Sequence, residues 1–289
     1  MVASNDYIDR LLTVFDQAAE ANRQTPGRQG NVVVLRPELA GEVMVTGDLH
    51  GHRRNFNLIR RLAALESNSA RHLVFQEVCH GGPTYPDGSC MSHTIIEDVA
   101  WLKTKYPGRI HYILGNHELA ELSDFAIQKN KQLLNLQFRL GLQRMYGQAA
   151  EKVYDACRRF LRTCPLAVRL PQGVFITHSV PEQVDMLGFD ASLFTRELAA
   201  EDYAEWSDVF RLVWGRDYRG ENARAFAKLV GAKILINGHE PCYEGFIAPN
   251  DWQIILDCCS QPAAYVILPV GEELSRDEIM ERIRKLEDV

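Results

Sequence analysis

The sequence predicts an α/β fold with buried sheets. Short apolar, strand-like runs alternate with segments of helical periodicity along most of the chain. Several of those runs end on a glycine, a carboxylate, an amide or a histidine. No repeat, low-complexity tract or long linker divides the sequence, so residues 1–289 are expected to form one domain. Within it, 1–30 form an N-terminal helix, 31–270 the core and 271–289 a C-terminal helix.

The elements follow in order. Ile8, Leu11, Leu12 and Phe15 recur at helical spacing, and Thr25-Pro26-Gly27 breaks that helix. Val43-Met44-Val45 is strand-like, Leu58, Leu62 and Leu65 mark a helix, and Leu73-Val74-Phe75 is a second strand. A turn-rich stretch from His80 to Ser89 precedes a helix over Ile95 to Leu102 and a strand at Tyr112-Ile113-Leu114. A long helical region runs from Leu119 to Thr163, with Val153, Cys157, Phe160 and Leu161 on one face. Val174-Phe175-Ile176 is a strand, and helices follow to Val230. Ile234-Leu235-Ile236, Ile254-Ile255-Leu256 and Tyr265 to Leu268 complete the strands. Ser275 and Glu278 form a capping box for a last helix carrying Ile279, Ile283 and Leu286.

Composition bounds the function. Lys plus Arg total 32 against 38 Asp plus Glu, a net charge of −6, with 46% apolar residues. Those are globular values. They argue against a broad basic footprint for nucleic acid and give no general attraction to an anionic membrane. No apolar run approaches the ~18 residues of a membrane span. The N-terminus has no apolar signal core, and the seven cysteines lie at irregular spacings. A reduced, cytoplasmic protein is therefore expected.

The chemistry sits at the strand ends. Val43-Met44-Val45 leads to Gly47-Asp48-Leu49-His50-Gly51, and Leu73-Val74-Phe75 to Gln76-Glu77. Tyr112-Ile113-Leu114 leads to Gly115-Asn116-His117-Glu118, Val174-Phe175-Ile176 to Thr177-His178, and Ile234-Leu235-Ile236 to Asn237-Gly238-His239. In an α/β sheet such ends converge on one crevice. One Asp-x-His or Asn-His pair is ordinarily a satisfied loop; five such groups at five strand ends are not a chance pattern. Mixed oxygen and imidazole donors suit Mn, Fe or Zn. With one shared carboxylate, Asp48, His50, Glu77, Asn116, His178 and His239 suffice for two divalent ions. Such a pair lowers the pKa of a water and clamps phosphoryl oxygens, so that hydroxide attacks phosphorus in line. Cys79, His80, Cys90 and His93 also carry ligand chemistry, but without a Cys-x-x-Cys pair they read as core and loop residues.

These motifs, in this order from about Val43 to Leu268, resemble the calcineurin-like metallophosphoesterases, and among them the phosphoprotein phosphatase branch. The resemblance implies a sandwich of two β-sheets flanked by helices. It implies that Asp48 and His50 bind the first metal, that Glu77 bridges, and that Asn116, His178 and His239 bind the second. His117 would protonate the leaving oxygen or contact the phosphoryl group. The Trp214-Gly215-Arg216 segment resembles a Trp-x-Arg segment of bacterial relatives, making Arg216 the first candidate for phosphate binding, with Arg219 and Arg53 behind it.

The second motif departs from the family. Where the family has Gly-Asp-x-x-Asp-Arg-Gly, this chain has Gln76-Glu77-Val78-Cys79-His80-Gly81-Gly82. The bridging Asp becomes Glu77, and the Asp that supports the catalytic histidine becomes His80, which lacks its charge. Gly81 replaces the arginine clamp. Restoring both, by His80→Asp with Gly81→Arg, is expected to raise turnover. The resemblance implies a phosphate monoesterase acting by attack of metal-bound hydroxide, with phosphoserine or phosphothreonine protein favoured over a small phosphoester. The alternatives are a catalytically weak metal- or phosphate-binding pseudophosphatase and a dinucleoside tetraphosphate hydrolase.

Overall fold

The structure, a computed structural model, describes residues 2–123 and 125–288. Its strands in chain order are β1 (Arg28–Gln29), β2 (Val32–Val34), β3 (Glu42–Asp48), β4 (Arg71–Gln76), β5 (Ile110–Ile113), β6 (Gln128–Lys129), β7 (Gln132–Leu133), β8 (Ala167–Arg169), β9 (Val174–Thr177), β10 (Ile234–Asn237), β11 (Phe246–Asn250), β12 (Gln253–Leu256), β13 (Ala264–Pro269) and β14 (Ile283–Lys285). Its α-helices are α1 (Asn5–Arg23), α2 (Arg53–Ala63), α3 (His93–Lys105), α4 (Asn116–Ser123), α5 (Leu134–Tyr146), α6 (Ala150–Leu161), α7 (Val184–Leu187), α8 (Asp208–Trp214), α9 (Gly220–Val230) and α10 (Arg276–Glu281). One sheet has the order β1-β2-β8-β9-β10-β12-β11, the other β14-β13-β3-β4-β5, and β6 pairs with β7 in a separate hairpin. None of the described helices is long and apolar enough to cross a membrane.

Alternate residues of a strand leave on opposite faces, so a strand covered on both sides is apolar throughout. Val43 and Val45 of β3, Val74 of β4 and Ile113 of β5 join Val168, Ile176, Ile236 and Leu256 of the other sheet in one core between the sheets. The intervening Met44, Leu73, Phe75 and Phe175 belong to a second core, with Leu11 and Phe15 of α1, Phe56 and Ile59 of α2, and Phe160 of α6. This is the predicted α/β sandwich of two sheets flanked by helices.

β3, β4 and β5 run parallel, as do β9 and β10, so their carboxyl ends share a direction within each sheet. The sheets are tied together at that rim. Asp48 O accepts from Cys258 N at 3.0 Å, and the Asp48 carboxylate accepts from His239 N at 2.9 Å.

Two sequence expectations change. The helical region from Leu119 to Thr163 is broken into α4, the β6–β7 hairpin, α5, a 3-10 turn and α6. The polar Asn130 and Lys131 turn the hairpin at φ +51° and +63°, and Gly147 at φ +54° ends α5. The capping box of α10 is present, with Ser275 N donating to Glu278 at 2.8 Å. The helix nevertheless stops at Glu281, and Ile283 lies instead in β14, paired antiparallel with β13. The edge of β13 supplies a ladder of hydrogen bonds that outweighs the helical spacing.

A histidine pair in β4 and β5 gives the fold an acid sensitivity. His72 and His111 stack on adjacent strands and share a 2.9 Å hydrogen bond. Burial pushes His72 from 6.5 down to about 4, and His111 well below the usual range. The unfolded chain therefore binds a proton near 6.5 that the folded chain refuses until about 4. Stability is fully present above that window and is lost as pH falls through it, by roughly 3 kcal/mol for His72. Urea unfolding at stepped pH should show this slope, and His72→Phe should flatten it. An unchanged slope in the variant contradicts the assignment.

Candidate metal centre

Each ligand-type residue stands at or just past a strand's carboxyl end, where the chain doubles back. φ is +40° at His50, +44° at Glu77 and +72° at His239. Left-handed backbone costs such residues about 1–3 kcal/mol each and persists where the surroundings over-determine it. Two glycines make room for the carboxylates. A Cβ on Gly115 would lie 1.8 Å from Glu77 Oε2, and one on Gly238 would lie 2.1 Å from Asp48 Oδ1.

The six predicted ligands converge. Asn116 Oδ1 is 2.9 Å from both His178 Nε2 and His239 Nδ1. His178 Nε2 is 3.3 Å from Glu77 Oε2, and its Nδ1 is 3.7 Å from Asp48 Oδ1. His50 Nε2 is 3.9 Å from Asp48 Oδ2. Ligand atoms of His50, Glu77 and His117 all lie within 4.8 Å of one another. His117 thus stands at the cluster itself, its Nε2 3.6 Å from Glu77 Oε1.

Neighbouring groups aim the imidazoles. His50 Nδ1 faces the Cys79 carbonyl at 3.2 Å and must donate to it, leaving Nε2 bare. Gln76, in place of the family's glycine, donates through Nε2 to Thr46 O at 2.7 Å, so its Oε1 accepts from His178 Nδ1 at 3.2 Å. That leaves His178 Nε2 bare toward Asn116 and Glu77. Arg216 Nη1 donates to His239 Nε2 at 2.6 Å.

The electrostatics define what the cluster can hold. Burial pushes the Asp48 and Glu77 carboxyls well above the usual carboxylate range, and Glu118 adds repulsion to both. Burial also holds His50 below the usual imidazole range and His117, His178 and His239 well below it. Glu118 Oε2 is buried without a hydrogen-bond partner. Crowded carboxylates beside neutral imidazoles, with the bare Nε2 atoms of His50 and His178 facing inward, form a donor set for divalent cations. The residues fit the ions that the sequence motifs imply.

Glu118, Gln76 and Glu121 were not singled out from sequence. Glu118 Oε1 accepts from Val78 N at 2.9 Å, Cys79 N at 2.7 Å and Tyr112 Oη at 2.7 Å, and so pins the loop that carries Glu77. It stood in the quoted Gly115-Asn116-His117-Glu118 run as a carboxylate in the first turn of a helix. Glu121 lies one helical turn beyond His117, a polar break in an otherwise apolar stretch.

Of the three arginines proposed for phosphate, Arg216 alone reaches the cluster. Arg53 is engaged by Asp98 and Thr94, and Arg219 by Asp185 and Asp217, none of which belongs to it. His93 bonds Glu97 at 2.7 Å, and Cys90 Sγ lies 3.2 Å from Ser92 Oγ, so the Cys79–His93 stretch is occupied by other contacts.

The expected gain from restoring Arg at position 81 does not fit the backbone. Gly81 has φ +83°, and a Cβ there would meet His50 O at 2.9 Å. Gly81→Arg is expected to destabilise the chain by roughly 1–3 kcal/mol and to displace His50. A urea midpoint equal to the parent's would contradict this.

Two packed sheets with a carboxylate–imidazole–amide cluster at their shared rim define a metallophosphoesterase-type fold and site. Residues 41–243 match the calcineurin-like phosphoesterase family model, and the chain belongs to that family. A probable serine/threonine-protein phosphatase of Encephalitozoon cuniculi is 27% identical over 158 residues, covering 53% of this chain and 30% of that protein. The chain thus matches under a third of that relative's length. Among solved structures, a serine/threonine phosphatase of Saccharomyces cerevisiae with similarity to human phosphatase PP5 superposes with a TM-score of 0.65. It is 14% identical, with 96% of this chain and 88% of that one covered. A cold-active protein tyrosine phosphatase superposes with a TM-score of 0.56 at 12% identity, covering 87% and 78%.

Proposed function

We propose that this chain hydrolyses phosphate monoesters with two divalent cations, Mn, Fe or Zn, held by Asp48, His50, Glu77, Asn116, His178 and His239. The observation that carries the reading is the meeting of Asn116 Oδ1, His178 Nε2 and His239 Nδ1 within 3.2 Å, with Glu77 and Asp48 beside them. When bound, the cations supply the positive charge that offsets the buried carboxylates and activates water toward phosphorus. The chain's own groups do the rest. His117 presents Nε2 to the cluster and, as the imidazolium, is the group that would give its Nε2 proton to the leaving oxygen. Arg216 now donates to His239 Nε2; were His239 to hold a cation through its other ring nitrogen, its proton would face Arg216 and that guanidinium would be free for a phosphoryl oxygen.

The matched relatives are described as protein phosphatases, which favours a phosphorylated protein over a nucleotide polyphosphate as substrate. The test is metal analysis of the purified chain, then hydrolysis of an aryl phosphate, phosphopeptides and a dinucleoside tetraphosphate with each cation. Turnover of phosphopeptides is expected, and Arg216→Ala should raise KM about tenfold, as for one lost charge-assisted hydrogen bond. Bound metal without turnover of any substrate would instead make the chain a binding protein. Preference for the dinucleotide would overturn the substrate assignment.

A further inference from the structure

The replacement of the family's supporting aspartate by His80 leaves His117 without a carboxylate neighbour on that side, yet a carboxylate stands one residue further on. His80 Nδ1 is 2.8 Å from His117 Nδ1, and His80 Nε2 is 2.9 Å from Glu121 Oε1. His80 and Glu121 are both fully buried, at 1% and 0% exposure. We infer that Glu121 is a positioning residue for His117, acting through His80. This rests on the reading of His117 as the group facing the phosphoryl.

The direction of every hydrogen bond in the chain follows from its far end. Arg139 donates to Tyr154 Oη at 3.0 Å, so the Tyr154 proton goes to Glu121 Oε2 at 2.8 Å. Asn135 Nδ2 donates to Glu121 Oε1 at 2.8 Å. With donors on both oxygens, Glu121 is an acceptor, and His80 Nε2 must donate to it. With its ring proton on Nε2, His80 presents Nδ1 as the acceptor for His117 Nδ1–H. His117 Nδ1–H is thereby fixed toward His80 in one ring orientation, with Nε2 toward Glu77 and the cluster, bare in the neutral ring and carrying the transferable proton in the imidazolium. The Phe138 ring packs edge-on to His80, 5.6 Å between centroids, and helps hold the relay ring in place.

An aspartate at position 80 can replace the relay. Asp Oδ1 and His Nδ1 are each one bond from Cγ, so His80→Asp brings an acceptor close to where Nδ1 stands. Glu121 should then lose its influence on His117.

The test has two arms. In the first, two-bond ¹⁵N–¹H correlation spectra are recorded on the full chain, as purified and with excess Zn, with His117 assigned through His117→Gln. The expected spectra show His117 protonated on Nδ1 and His80 on Nε2. His117 protonated on Nε2 with Nδ1 bare overturns the inference. In the second, Glu121→Gln should lower kcat about tenfold with KM within about twofold, and His80→Asp with Glu121→Gln should return kcat to within about threefold of the parent. Parental kcat in Glu121→Gln, or a double variant as slow as the single one, overturns it. A parent that turns over nothing would sink the phosphoesterase reading, while the tautomer arm still decides this one.

Discussion

Asp48→Asn is expected to cost on the order of 10²–10³-fold in turnover while leaving the metal-free fold as stable as the parent, or more so. The two halves of that expectation come from one side chain. Burial, and after it the charges of Asp257 and Glu118, push the Asp48 carboxyl upward, so its negative charge is unfavourable to the metal-free chain. Its structural contact is acceptance of the His239 N–H at 2.9 Å, which an asparagine oxygen preserves. What the amide cannot supply is a second anionic oxygen for a cation. Thermal unfolding with and without a chelator, run beside metal analysis, separates the effects. The parent's unfolding temperature should fall on chelation, and that of the variant should not respond. Parent-like metal content together with parent-like turnover in the variant would remove Asp48 from the site.

The fold and the positions of the six ligand-type residues were legible because both are local signals. A strand covered on two faces is apolar at every position, as at Val43-Met44-Val45, and the polar residue that ends it marks the rim. What the sequence could not disclose is pairing between remote residues. Arg53 looks free until Asp98 is brought beside it, although Asp217, two residues from Arg219, was a nearby warning. His80 looks like the loss of a charge until α4 brings Glu121 against its far nitrogen. Gly81 looks like the loss of a clamp until its φ of +83° and the nearby His50 carbonyl show why an arginine does not fit. The β6–β7 hairpin and β14 were missed because their backbone pairing overrides side-chain periodicity over stretches of only two or three residues.

Glu118 separates structure from electrostatics in a way that two substitutions can read. Glu118→Ala removes the acceptor of Val78 N–H, Cys79 N–H and the Tyr112 hydroxyl, all buried. Leaving three such donors unpaired should cost roughly 3–5 kcal/mol, a fall of roughly 10 °C in Tm, and should release the loop that carries Glu77. Glu118→Gln keeps an oxygen for those donors and replaces the unpartnered Oε2 with an amide facing Glu77. Stability should then stay within about 1 kcal/mol of the parent. The effect should appear in the metal instead. One negative charge fewer next to Glu77 weakens the hold on a cation by about tenfold or more, since an ion pair at partly screened interior distances amounts to a few kcal/mol. Metal titration of the folded Gln variant and urea unfolding of the Ala variant read the two roles separately. If the Gln variant binds metal as tightly as the parent, Glu118 serves the loop alone and its charge has no part in the centre.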